Sequence, residues 1–148
     1  MVTLSFLTDS EQGTLEAGKE LAGSLAPGDV VILTGSLGAG KTVLVRGLAE
    51  GMGIDPRAVH SPTFAMVTAY GPSPSGIRLV HVDLFRLDEP AEVEELGLAD
   101  LLEGGAVMAV EWGERLPARL GRGAVRVTIE DAGGDSRRIT ILRDADPA

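Results

Sequence analysis

Apolar positions along this chain follow two rhythms, one of period two and one of period three to four. Residues 2–7 alternate loosely and predict a short strand. Residues 10–25 place Leu15, Gly18, Leu21, Ala22 and Leu25 at helical spacing, with a capping segment at residues 8–10. Pro27-Gly28-Asp29 marks a turn. Residues 30–34 (VVILT) form an unbroken, mostly β-branched run, the pattern of a strand covered on both faces in a parallel sheet. A glycine-rich segment follows. Then comes a stretch with Leu44, Leu48 and Met52 at helical spacing, closed by Gly51 and Gly53.

Downstream, His60-Ser61-Pro62 interrupts the pattern, and residues 63–70 and 77–84 read as strands. The turn-rich GPSPSG between them predicts a hairpin with a mobile tip. Residues 89–102 predict one acidic helix, with Pro90 suited to its first turn. Residues 106–110 form another buried strand, ending at Glu111-Trp112. Residues 125–131 and 137–142 alternate on either side of an AGGDS turn. The expected architecture is α/β: a three-layer fold, with a mixed β-sheet flanked by helices and added antiparallel hairpins.

A length of 148 residues suits one domain spanning residues 1–148, with 143–148 as a frayed tail. Aromatic residues are sparse, so the core must come from Val, Leu, Ile and Ala. Thirteen basic residues against 22 acidic ones give a net charge of −9, which disfavours strong direct binding to nucleic acid or anionic membranes. With no cysteine, disulfides, thiolate metal sites and cysteine catalysis are excluded. Neither a signal peptide nor a membrane span is visible, and the chain reads as cytoplasmic.

The glycine-rich segment carries the chemistry. GSLGAGKT fits G-x-x-x-x-G-K-[ST] at Gly35, Gly40, Lys41 and Thr42, between an apolar strand and an amphipathic helix. Glycines let several N–H groups converge on one anion, and the helix that follows offers free N–H groups and its positive dipole end. Lys41 reaches the β- and γ-phosphates, and Thr42 offers a hydroxyl to Mg²⁺. Leu37, Gly38, Ala39 and Gly40, with Lys41, Thr42 and Val43, are the candidate nucleotide-binding positions. No N-K-x-D tetrad occurs, which favours adenine over guanine, and hence ATP and ADP.

A P-loop site needs a carboxylate at a nearby strand end. Asp83 after LVHV and Glu111 after VMAV both fit, and spacing leaves open which serves Mg²⁺ and which orients water. Thr63, after Ser61-Pro62, is a candidate sensor of the γ-phosphate or Mg²⁺. His81 reads as a half-buried, hydrogen-bonded histidine rather than a general base. Arg86 could reach an acidic partner or a phosphate, and Arg137 or Arg138 could stack on adenine. Trp112 could either pack at its strand end or cover the site.

In order along the chain, SEQGTL at residues 10–15, GSLGAGKT at 35–42, SPTF at 61–64, HVDLFRL at 81–87, DEPAEVEELG at 88–97 and EW at 111–112 resemble the TsaE (YjeE) family of small bacterial P-loop ATPases. The resemblance spans nearly the whole chain. It implies a role in forming threonylcarbamoyladenosine in tRNA. Lys41 would bind phosphates, Thr42 and Glu111 would serve Mg²⁺, and Asp83 would be the acid needed for hydrolysis. Residues 61–64 would form the first switch, Trp112 would lie near the nucleotide and partner face, and Glu11 and Arg137 would flank the nucleotide. The partners implied are the TsaD and TsaB subunits, with tRNA met indirectly through them and ATP turnover resetting the complex. Phe85 stands where the family often has Tyr, and the 71–76 tip is uninformative. A small-molecule kinase is a competing reading, but the length leaves little room for an acceptor pocket and an arginine lid. A nucleotide-dependent binding module is another.

Overall fold

The computed structural model describes residues 2–35, 40–59, 67–84, 87, 89–134 and 136–143. Its elements run β1 (Val2–Thr8), α1 (Glu11–Ala22), β2 (Val30–Gly35), α2 (Lys41–Met52), β3 (Val67–Tyr70), β4 (Leu79–Asp83), α3 (Pro90–Glu94), α4 (Leu98–Glu103), β5 (Val107–Glu111), α5 (Ala118–Gly121), β6 (Val125–Asp131) and β7 (Arg137–Arg143), with 3₁₀ turns at Pro56–Ala58 and Gly113–Arg115. Among the described residues the strands form one sheet in the order β1-β7-β6-β2-β5-β4-β3. Strands β6, β2, β5 and β4 are mutually parallel. The β6–β7 and β3–β4 hairpins extend this core on either side, and β1 pairs antiparallel with β7.

The unbroken apolar runs now have a cause. Val31 and Leu33 of β2 pack in one core with α1 and α2, while Val30 and Ile32 pack in the other with Val93, Leu98 and Leu116. A central strand thus needs apolar side chains on both faces. The fold has the three expected layers: α1 and α2, the sheet, then α3, α4 and α5. After β2 the chain crosses through α2 on one face, and after β5 it crosses through α5 on the other. The crevice beyond the carboxyl ends of β2 and β5 is therefore a topological switch point, where open α/β sheets bind ligands.

Helix α1 starts where its cap is supplied, with the Gly13 amide donating to Ser10 Oγ at 3.1 Å. Its approach to α2 is unusually close. A Cβ on Gly47 would lie 2.2 Å from the Leu15 carbonyl oxygen, and one on Gly18 2.4 Å from that of Leu44. Only glycine permits this crossing, which brings the first turn of α1 beside the start of α2. Arg46 of α2 ties down the chain beyond, donating from Nε to the Val59 carbonyl at 3.1 Å.

Three expectations need correction. The single helix over 89–102 is two, α3 and α4, because Gly97 takes a left-handed conformation (φ 71) that breaks the helical ladder. The 71–76 tip, expected to be mobile, is exposed at most positions but anchored at two of them. Ser73 is buried and its hydroxyl accepts from the Ile77 amide, while Pro74 abuts Gly53 at the end of α2. Arg143 is no part of a frayed tail: it is the last residue of β7 and pairs with Asp29 at 3.2 Å. Residues 144–148 lie outside the described residues.

Candidate functional site: a P-loop crevice

Three elements converge at the carboxyl end of β2. Strand β2 delivers Leu33, Thr34 and Gly35, α2 begins with Lys41 and Thr42, and β5 ends in Glu111. Leu33, Thr34, Gly35, Lys41 and Trp112 line a small recess there. Gly40, just before α2, is left-handed with φ 105. The first amides of an α-helix have no intrahelical acceptors, so the start of α2 offers N–H groups beside this recess. Lys41 Nζ lies 3.3 Å from Glu111 Oε1, with the lysine side chain 15% exposed and that of the glutamate 11%. On its other oxygen Glu111 meets His81, with Nε2 to Oε2 at 2.9 Å.

This carboxylate has a definite electrostatic state. Burial by itself pushes its pKa up. The hydrogen bond and charge of His81, joined by Lys41, outweigh that and hold Glu111 below the ordinary value of 4.5. Asp83 stands opposite Glu111 in the parallel register of β4 and β5. Both carboxylates therefore leave adjacent strand ends on the α2 side of the sheet.

Trp112 follows immediately. It is the one non-glycine residue at positive φ among those described, with φ 62, and it is 39% exposed. A bulky residue held there is strained, a feature that clusters at functional sites. Arg115 stabilises the corner: its guanidinium lies 5.3 Å from the Trp112 ring centroid, and Nη1 donates to the Leu84 and Leu87 carbonyls at 3.0 Å each. Arg115 thus links the exits of the two acid-bearing strands.

Among the sequence candidates, Gly40, Lys41, Thr42 and Val43 stand at the start of α2, and Asp83, Glu111 and Trp112 at the adjacent ends of β4 and β5. His81, expected half-buried, is fully buried. Glu11 opens α1, and Thr14, one turn later, comes within 3.7 Å of where a Gly40 Cβ would stand, so this helix end lies beside Gly40. Arg137 begins β7 opposite Thr8, at the same end of the sheet. Its guanidinium, however, is engaged by its own hairpin, donating to the Ser136 carbonyl at 2.9 Å and reaching Asp131 at 3.5 Å. Leu37, Gly38, Ala39, Thr63 with the 61–64 segment, Phe85 and Arg86 lie outside the described residues.

Sequence reasoning missed Arg115 and the Gly18–Gly47 contact. A glycine inside a helical pattern was the only signal for the second, and none marked the first. The Thr42 hydroxyl and the two carboxylates are hard oxygen donors, the type Mg²⁺ takes alongside phosphate and water. Among the described residues no three His, Cys, Asp or Glu side chains converge as a ready-made metal cage. No helix among them is long and apolar enough to cross a membrane.

Comparison with known proteins finds relatives over most of the chain. The family model described as "Threonylcarbamoyl adenosine biosynthesis protein TsaE" matches residues 8–139. The chain is 38% identical to the tRNA threonylcarbamoyladenosine biosynthesis protein TsaE of Bacillus subtilis over 95% of its own length and 86% of the relative's. It is 43% identical to the protein of that name from Streptomyces coelicolor, over 85% of its own length and 87% of the relative's. The crystal structure of Bacillus subtilis YdiB superposes with a TM-score of 0.74 at 30% identity, covering 97% of this chain and 87% of that one.

Proposed function

The chain belongs to the TsaE family, which takes part in tRNA threonylcarbamoyladenosine biosynthesis, and from that premise we propose that it binds ATP with Mg²⁺ in the β2–β5 crevice and hydrolyses it. In this reading it works with TsaD and TsaB to support repeated threonylcarbamoyl transfer to the adenosine beside the anticodon. The net charge of −9 fits a subunit that leaves the tRNA to its partners.

One observation carries the proposal: the Lys41–Glu111 ion pair between the start of α2 and the end of β5. Nucleotide phosphates compete for Lys41, and a carboxylate next to the P-loop strand is what such a site requires. Lys41 and the first amides of α2 hold the β- and γ-phosphates. Thr42 and Glu111 would hold the cation, which would supply charge neutralisation at the phosphate oxygens. Asp83, one strand further out, accepts a hydrogen bond from the attacking water. Catalysis is then positioning and electrostatics rather than covalent chemistry.

The test is ATP hydrolysis with Mg²⁺, first by the chain alone and then with TsaD, TsaB and tRNA. Slow turnover that rises with the partners is expected. Tight ATP binding with no hydrolysis in any mixture would replace this reading with a nucleotide-dependent binding module.

A further inference from the structure

We propose that His81 is the positioning residue of this site, fixing Oε2 of Glu111 so that Oε1 stays directed at the nucleotide when Lys41 changes partners. The inference deepens the proposed nucleotide site and rests on it.

His81 lies mid-strand in β4, fully buried, on the face toward α1 and α2 that also carries Leu79 and Asp83. Its register partner in β5 is Ala109, whose small side chain leaves an imidazole room to reach Glu111, two residues further along that strand. A carboxylate can only accept, so Nε2 carries the hydrogen in this 2.9 Å bond. Nδ1 is buried too and has no hydrogen-bond partner among the described residues. A buried polar atom without a partner costs stability that another Leu or Val in this apolar strand would avoid. The bond to Glu111 is the return for that cost.

The two oxygens of Glu111 therefore differ. Oε1 faces Lys41, a side chain at a helix start that turns to phosphate when a nucleotide enters. Oε2 is held by a ring embedded in the sheet. Without His81, the loss of Lys41 to phosphate would leave Glu111 free to change rotamer. Fixing a ligand residue through its second oxygen is how outer-shell partners tune metal sites.

The test compares His81→Gln, whose amide nitrogen reaches about as far as Nε2, with His81→Asn, whose amide stops short. ADP binding is titrated with and without Mg²⁺, and ATP turnover is measured beside it. For His81→Asn, the Mg²⁺ concentration giving half-maximal tightening of ADP rises about 10-fold or more and kcat falls about 10–100-fold. ADP affinity without Mg²⁺ and the KM for ATP stay near wild type. His81→Gln recovers most of both losses. The proposal is overturned if the two variants fall alike, which marks a packing role, or if both match wild type. If wild-type ADP binding ignores Mg²⁺ and Lys41→Ala binds ADP normally, the nucleotide site itself is wrong and this inference falls with it.

Discussion

Asp83 stands opposite Glu111 in the pairing of β4 with β5, so two carboxylates leave the sheet at one level and on one face. They are not equivalent. Glu111 sits on the strand next to β2 and is held by Lys41 and His81, whereas Asp83 is one strand farther from the P-loop. Asp83→Asn is expected to lower ATP turnover by about 10²-fold or more while leaving ADP affinity within a few-fold, since it removes a group acting on the reacting water. Steady-state kinetics beside equilibrium ADP binding checks this. Equal losses in both would make Asp83 a binding residue instead.

Lys41→Ala removes the ammonium paired with Glu111 Oε1, and the proposed phosphate ligand with it. A hydrogen bond to a charged group contributes about 1.5–3 kcal/mol, so nucleotide affinity is expected to fall roughly 10–150-fold. Calorimetric titration with ADP reads it. Unchanged affinity would remove the crevice from consideration.

The glycine contact between α1 and α2 predicts a contrast within one helix pair. Gly47→Ala would set a methyl 2.2 Å from the Leu15 carbonyl and force the helices apart. A destabilisation of about 1–3 kcal/mol is expected, as for overpacked cores. Gly23, at the end of α1, is right-handed (φ −64), with its nearest neighbour at 3.5 Å. Gly23→Ala is therefore expected to be neutral or to stabilise by up to about 1 kcal/mol. Thermal or urea unfolding of the two variants separates a packing requirement from a general intolerance of substitution.

Acid stability carries the signature of Glu111. Its carboxyl titrates below 4.5 in the folded chain, where burial is outweighed by His81 and Lys41. The unfolded chain then binds the proton more readily, so stability rises with pH across that window. The contribution is complete above about pH 4.5 and is lost as pH falls through the lower folded value. In nucleotide-free, metal-free protein, the wild-type stability curve is expected to fall more steeply below that pH than the curve of Glu111→Gln. Parallel curves would mean that the ion pairs do not set the state of Glu111.

Much of the fold was legible because the patterns are local. An apolar run, a glycine loop and a helical repeat follow one another over residues 30–52, and the structure returns β2 and α2 there. The corrections are local too: Gly97 reads equally well as an interior helix position or as a break, and the ladder alone decides. The hairpin tip looked loose because its partner, the end of α2, lies far from it in sequence.

The sequence by itself determined the layered α/β class, the phosphate-binding motif and the two strand-end acids, since each depends on neighbours within a few residues. Tertiary structure alone decided that Lys41 meets Glu111 across 70 positions, that His81 rather than solvent holds the other oxygen, and that Arg115 ties the exits of β4 and β5 together. Those contacts depend on strand order and register. Parallel pairing of β2, β5 and β4 is a long-range event that local residue periodicity does not encode.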